Sequence, residues 1–258
     1  MEYKHKTVMK KELIEALNIK KGGIYIDCTL GGGGHTEEIL KNGGKVIAFD
    51  LDPDAIENAK IKLSKYKNKL KLVEDNFRNL NDYVEKDSVD GILMDLGMSS
   101  YELDDKKRGF TFQGENFLDM SFSGKEKKNA EFIVNNYREE ELIRIFKDYG
   151  EEELAKKIAK EIVKDRKTER IGTTKNLVDI ILKVKRFKKG KIHPATKVFQ
   201  AIRIEVNQEI DSLKEVLPKA LDSLKKNGRL ATISFHSVED RVIKNFFRKE
   251  ARDCLCDP

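Results

Sequence analysis

The chain has 258 residues, with 51 Lys and Arg against 45 Asp and Glu, so it is mildly basic and long enough for one large domain or one domain with a substantial insertion. Its 39% hydrophobic and 37% charged content and mean hydropathy of −0.59 argue for a water-soluble globule and against a disordered chain or a membrane protein. No apolar run approaches the ~20 residues of a spanning helix. Residues 1 to 17 carry no signal-peptide core, and Cys28, Cys254 and Cys256 make no disulfide framework; both features lead us to expect the cytoplasm.

Residues 7 to 17 predict an amphipathic first helix, with Val8, Met9, Leu13, Ile14 and Leu17 on one side. Ile24-Tyr25-Ile26-Asp27 then runs through Cys28-Thr29-Leu30 into four glycines, Gly31 to Gly34, and helical spacing resumes with Ile39 and Leu40. Strand, tight loop and helix in this order make a ligand loop, because residues without Cβ let backbone N–H groups approach a bound molecule and the helix points its positive end into the same space. A dinucleotide fingerprint needs a third glycine, where Thr36 or Glu37 stands instead. That absence weighs against a nicotinamide oxidoreductase. Val46-Ile47-Ala48-Phe49-Asp50 nevertheless ends a second strand in an acid placed to bind ribose hydroxyls. A nucleoside without a pyrophosphate is implied, and S-adenosylmethionine meets both conditions.

Asp52-Pro53 predicts a helix start, residues 70 to 73 a third strand followed by Phe77, and Val89 to Asp95 a fourth. Alternation of this kind predicts a doubly wound, mostly parallel α/β sheet with ligands at the carboxyl ends of its strands, where Asp27, Asp50, Phe77 and Asp95 fall. From 99 to about 192 no strand is expected. Helices over 130 to 137, 140 to 149, 152 to 164 and 173 to 184, broken at Gly150 and Gly172, read as an inserted helical subdomain. His193-Pro194 opens a long helical pattern that continues past Asn207 toward Asn227-Gly228. Residues 229 to 235 return to the sheet, and His236 leads a last helix through Phe247. The expected division is 1–99 with 193–258 for the sheet domain and 100–192 for the insertion. Residues 183 to 191, with Lys183, Lys185, Arg186, Lys188, Lys189 and Lys191 around Phe187, form the densest basic stretch and fit either a phosphate-tracking loop or a solvated surface.

Taken together, Asp27-Cys28-Thr29-Leu30-Gly31-Gly32-Gly33-Gly34-His35, Asp50-Leu51-Asp52-Pro53, Asp90-Gly91-Ile92-Leu93-Met94-Asp95-Leu96-Gly97-Met98-Ser99-Ser100, Arg108-Gly109-Phe110-Thr111-Phe112, His193-Pro194-Ala195-Thr196-Lys197-Val198-Phe199-Gln200 and Ser234-Phe235-His236-Ser237-Val238-Glu239-Asp240-Arg241 resemble the bacterial 16S ribosomal RNA cytosine-N4 methyltransferases, the RsmH or MraW family. The matches span nearly the whole chain. The resemblance implies a Rossmann-like methyltransferase sheet with a helical insertion, and S-adenosylmethionine held by Gly33, Gly34, His35, Asp50, Phe77, Asp95 and Glu102. Its implied substrate is a cytidine of 16S ribosomal RNA, free or in the small ribosomal subunit, with no membrane partner and a homodimer left open.

For the chemistry, Asp95 with the following turn through Ser99 is the expected place for acceptors on the amino group of the base. His236 is a second catalytic candidate, since imidazole exchanges protons near neutral pH. Arg108, Asp119, His193, Arg203 and Arg241 are the expected substrate contacts, the arginines for phosphates and His193 at the substrate mouth. The four histidines show no metal spacing, so no metal is assigned. Two departures favour a rival reading as a catalytically impaired RNA-binding homologue. The family's Leu-Asp-Met-Arg-Met-Asp loop stands here as Leu118-Asp119-Met120-Ser121-Phe122-Ser123, and the chain stops at Pro258 where the family continues, as a truncated or shortened homologue would. DNA amino-methylation is disfavoured by the lack of a Pro-Pro-aromatic run after the fourth strand.

Overall fold

A computed structural model describes residues 7–98, 108–112, 114–187 and 192–252. The chain divides into two compact units, one made of residues 1–99 and 210–258 and the other of 100–209. The helix expected to open the second half of the sheet domain at 193 therefore groups with the insertion.

In the first unit, five strands form a parallel sheet in the order β3-β2-β1-β4-β5: β1 Ile24–Asp27, β2 Lys45–Asp50, β3 Leu70–Glu74, β4 Val89–Asp95 and β5 Leu224–Ile233. Successive side chains of a strand face opposite ways, so Tyr25 and Leu93 enter one core and Ile26, Ile92 and Met94 the other. The first core is covered by α1 Lys10–Leu17, α2 Gly34–Lys41 and α3 Pro53–Lys62, through Leu13, Leu17, Ile39, Leu40, Ile56 and Ala59. The second is covered by the helix Glu209–Ser223, through Leu213, Val216, Leu217 and Ala220, and by Ile243 of Ser237–Glu250. Helices on both faces of a parallel sheet bury each strand twice, which is why the strand segments are almost continuously apolar.

Gly91 interrupts one such run for a steric reason. Its register partner on β1 is Tyr25, and a Cβ built on Gly91 would lie 2.9 Å from the buried Tyr25 ring. The tyrosine hydroxyl accepts from Lys20 N at 2.7 Å, so the ring is fixed at both ends. Asp52 caps α3 by accepting from Asp54 N at 2.9 Å, with Pro53 at the first helical position, as the sequence predicts.

Three expectations are corrected. The first helix starts at Lys10, and Val8 and Met9 are exposed rather than part of its buried stripe. The long helix expected past Asn207 is two helices, Thr196–Asn207 and Glu209–Ser223, separated by Gln208 in the left-handed region at φ 50. The last strand begins at Leu224 and ends at Ile233, with its register against β4 shifted between Val89 and Gly91 and Asn227 at φ 68. Asn227-Gly228 thus marks an irregularity inside the strand rather than a helix stop.

The second unit contains α4 Ala130–Asn136, α5 Glu139–Asp148, α6 Ala155–Asp165, α7 Thr174–Val184 and α8 Thr196–Asn207. We number Glu209–Ser223 and Ser237–Glu250 α9 and α10. Among the described residues of the second unit, the sole strand-like pairing is an isolated antiparallel bridge between Phe117 and Thr173. No helix among the described residues is long and apolar enough to cross a membrane.

Candidate active site

Three strands finish on an aspartate: Asp27 closes β1, Asp50 closes β2 and Asp95 closes β4, while β3 ends on Glu74. The strand order reverses between β1 and β4, and the carboxyl ends at such a switch point are where open parallel sheets bind ligands. The loop leaving β1 is shaped by Gly31 at φ 45 and Gly33 at φ 68, backbone that L side chains rarely adopt. α2 starts directly at Gly34 with no side chain capping it, which leaves its first-turn N–H groups for water or a ligand. A Cβ at Gly34 would run into the Thr7 side chain, a crowding the sequence did not reveal.

The three acids are held differently. Asp27 is fully buried and accepts from Thr29 N at 3.0 Å and from the Thr36 hydroxyl at 2.6 Å, clamping the loop to α2. Burial pushes its carboxyl up, against the pull of Thr36. Asp50 accepts from Gly31 N at 2.8 Å and Asp52 N at 2.9 Å, so the acid on β2 also holds the glycine loop. Burial pushes the Asp50 carboxyl up to about 6, with those two N–H groups opposing.

Asp95 is the least satisfied. Its backbone N–H donates to Thr29 Oγ1 at 2.7 Å and its Oδ2 lies 3.2 Å from His35 Nε2, yet its buried Oδ1 has no hydrogen-bond partner, and neither does buried His35 Nδ1. Leaving such an atom unpaired costs about 1–3 kcal/mol. The cost is removed when a complementary group enters. The other unpartnered buried side-chain atom among the described residues is His236 Nε2.

His236 follows the end of β5 and caps α10, its Nδ1 accepting from Glu239 N at 3.4 Å. Its Nε2 lies 3.0 Å from Oε1 of buried Glu239 without hydrogen-bond geometry, while Oε2 of that residue accepts from Phe235 N at 3.0 Å. Phe77 opens a short 3-10 turn, Phe77–Asp82, just past β3, and packs partly buried against the second core. Arg241 lies exposed on α10. Ser99 and Glu102 lie outside the described residues. The sheet's rim therefore brings together Gly33, Gly34, His35, Asp50 and Asp95, with Phe77 at the neighbouring strand end. S-adenosylmethionine fits this donor set: Asp50 offers a carboxylate for ribose hydroxyls, and the glycine loop offers close backbone approach.

The second unit carries Arg108, Asp119, His193 and Arg203. Arg108 Nη2 donates to Phe122 O at 3.3 Å, and its carbonyl accepts from Met120 N at 2.8 Å. Half-buried Asp119 has its carboxyl raised by burial, opposed by Asn129 and Arg108. Arg203 makes a two-pronged pair with Glu209, at 2.8 and 2.9 Å. His193 stacks on Phe112, ring centroids 4.5 Å apart. The sequence reading missed Asn207, which fixes the 118–123 loop: its amide donates to Met120 O at 2.8 Å and to Arg203 O at 2.9 Å, and its Oδ1 accepts from Phe122 N at 2.8 Å. In the basic stretch, Lys188, Lys189 and Lys191 lie outside the described residues, while two of its described lysines are already paired. Lys183 pairs with Asp165 at 2.5 Å and Lys185 with buried Glu152 at 2.7 Å.

Compared with known proteins, residues 2–258 match the model of the "MraW methylase family". The ribosomal RNA small subunit methyltransferase H of Clostridium botulinum (strain Loch Maree / Type A3) is 48% identical over 265 residues, covering 100% of this chain and 85% of that protein. The protein of the same name from Carboxydothermus hydrogenoformans is 48% identical over 261 residues, covering 99% and 84%. That from Clostridioides difficile is 46% identical over 265 residues, covering 99% and 85%. None of these names supports the rival expectation of an impaired RNA-binding homologue.

Proposed function

The chain belongs to the MraW methylase family, and from that premise we propose that it moves a methyl group from S-adenosylmethionine to the exocyclic N4 of a cytidine in small-subunit ribosomal RNA. The cofactor, when bound, supplies an electrophilic methyl on a sulfonium sulfur. Gly33, Gly34, His35, Asp50, Phe77 and Asp95 are the residues that would hold it. The remaining work falls to the chain's own groups.

The observation that carries the reading is Asp95 Oδ1, a buried acceptor without a partner at the end of β4. An exocyclic amino nitrogen is a poor nucleophile because its lone pair is delocalised into the ring. An acceptor on one of its N–H bonds favours the pyramidal nitrogen that can attack, and fixed alignment supplies the rest of the acceleration. Transfer of the methyl group the cofactor would supply makes the nitrogen acidic, so a strong base is unnecessary. Asp95 takes the hydrogen bond while the nitrogen is neutral and the proton once it is not. His35 holds the other oxygen, Oδ2, at 3.2 Å, and Thr29 anchors the backbone, so the carboxylate meets the base already oriented.

In the second unit, Arg108, Asp119, His193 and Arg203 are assigned to the RNA side of the reaction. Arg203 acts there as the brace of Glu209 rather than as a free phosphate clamp, since both prongs of its guanidinium are engaged. Nucleoside mass spectrometry of small-subunit RNA, incubated with the protein and S-adenosylmethionine, tests the proposal. N4-methylcytidine is expected; a methyl group on another atom, or none, contradicts it.

A further inference from the structure

Resting on the RNA-methyltransferase reading above, we propose that Phe187, backed by His193 and Phe112, is a stacking platform for one unpaired nucleobase of the RNA. Phe187 stands just past the end of α7 and is 54% exposed; Phe117 and Phe235 are as exposed, and what singles out Phe187 is the stack of rings behind it. The Phe187 ring is anchored. Its centroid is 5.4 Å from that of His193, which stacks at 4.5 Å and 11° on Phe112. Phe112 in turn meets the buried Phe199 of α8 edge-on at 5.8 Å. A chain of four rings thus runs from the interior of the second unit to its surface. A ring supported in this way presents a fixed face at small entropic cost, which is what base stacking requires.

The polar groups beside the platform point to the same occupant. His193 Nδ1 accepts from Ala195 N at 3.2 Å, so the neutral imidazole carries its proton on Nε2, a donor with no partner among the described residues. Burial holds His193 below the usual histidine range, which keeps the ring uncharged while stacked at neutral pH. Lys183 and Lys185 are occupied by Asp165 and Glu152, whereas Arg186, next to the platform and exposed, has no carboxylate partner among the described residues. An exposed π face, an N–H and a guanidinium without a carboxylate partner among the described residues match a base and its phosphate. Ile192 is also exposed, so a protein surface is the competing occupant; the unneutralised cation favours the polyanion.

The test uses the full chain with Phe187→Ala, Phe187→Leu and Phe187→Trp, none of which disturbs a buried side chain. Two RNA probes are used: deproteinised small-subunit ribosomal RNA, and a short single-stranded RNA carrying 2-aminopurine. Phe187→Ala and Phe187→Leu are expected to raise KM for RNA about 5- to 100-fold, the loss falling in KM rather than in kcat, and to abolish quenching of 2-aminopurine. Phe187→Trp is expected to retain both. If the wild type methylates RNA and Phe187→Leu matches it in KM and quenching, the platform is overturned while the methyltransferase reading stands. If the wild type transfers no methyl group to RNA or to the subunit, both fall. An effect confined to assembled subunits, with no quenching of the oligonucleotide, assigns the ring to a protein contact and overturns the proposal.

Discussion

The rim of the parallel sheet and the 118–123 loop of the second unit are both polar structures set in apolar surroundings, but they handle their polar atoms in opposite ways. In the loop, Asn207 spends its amide and its carbonyl on three backbone groups, and Arg203 and Glu209 neutralise each other through two bonds. At the rim, Asp95 Oδ1 and His35 Nδ1 are buried and unpaired. Every buried side-chain atom left unpartnered among the described residues belongs to the first unit: Asp95 Oδ1 on the last residue of β4, His35 Nδ1 in the first turn of α2 and His236 Nε2 three residues past β5. A satisfied network holds a shape, whereas an unsatisfied one is open to completion by a water, an ion or a ligand. Under the proposed function, the comparison separates residues that would react or bind from residues that hold a loop in place.

Substitutions should divide along the same line. The largest effect is expected from Asp95→Ala, which removes the unpaired acceptor and should lower the single-turnover rate of methyl transfer by about 10²–10³-fold. A rate near wild type would remove Asp95 from the chemistry. Asp50→Ala comes next. Hydrogen bonds to a charged group contribute about 1.5–3 kcal/mol, so the cofactor Kd measured by calorimetry should rise about 10- to 150-fold, part of it through release of Gly31.

Asn207→Ala should act on the fold instead. Thermal unfolding should show a loss of about 1–3 kcal/mol for the groups left unpaired, with cofactor affinity unchanged. A cofactor defect without a stability defect would erase the distinction between the two regions. The smallest effect is expected at Lys183, whose exposed ion pair with Asp165 has a side chain 54% exposed. Lys183→Ala should change stability by about 0.2–1 kcal/mol and leave the salt dependence of RNA binding nearly as it was, whereas Arg186→Ala should reduce that slope by about one.

Much of the rim was legible in the sequence because its cues are local. Four glycines between an apolar run and a helical pattern define a bend, and acids that end apolar runs mark strand termini, so the strand-end positions of Asp27, Asp50 and Asp95 follow from spacing alone. What could not be read depends on contacts between distant residues. The Thr7 side chain crowds Gly34 across the loop, Tyr25 leaves no room for a side chain at Gly91 across the sheet, and Asn207 reaches Met120 and Phe122 from 85 or more positions away. The break at Gln208 escaped for a related reason: an apolar period continues on both sides of it, and a left-handed glutamine leaves no mark in composition. In the basic stretch, counting lysines does not reveal that Asp165 and Glu152 pair with Lys183 and Lys185.

The central claim is that the strand-end acids form the cofactor's binding surface, and Asp50 gives it a pH signature. Its carboxyl titrates at about 6 when buried in the fold, above its ordinary 3.8, so the folded chain holds this proton more tightly than the unfolded one. Asp50 therefore lowers stability as pH rises from about 4 through 6. Ribose hydroxyls donate to the ionised form, so binding has the opposite dependence: affinity is full above about 6 and is lost as pH falls through it, by up to about tenfold per unit. Calorimetric titration of the wild-type protein with S-adenosylmethionine from pH 8 to pH 5 measures this directly. The predicted result is a level Kd down to about pH 6 that weakens below it; no heat of binding at pH 8, or a Kd that does not change with pH, would contradict the claim.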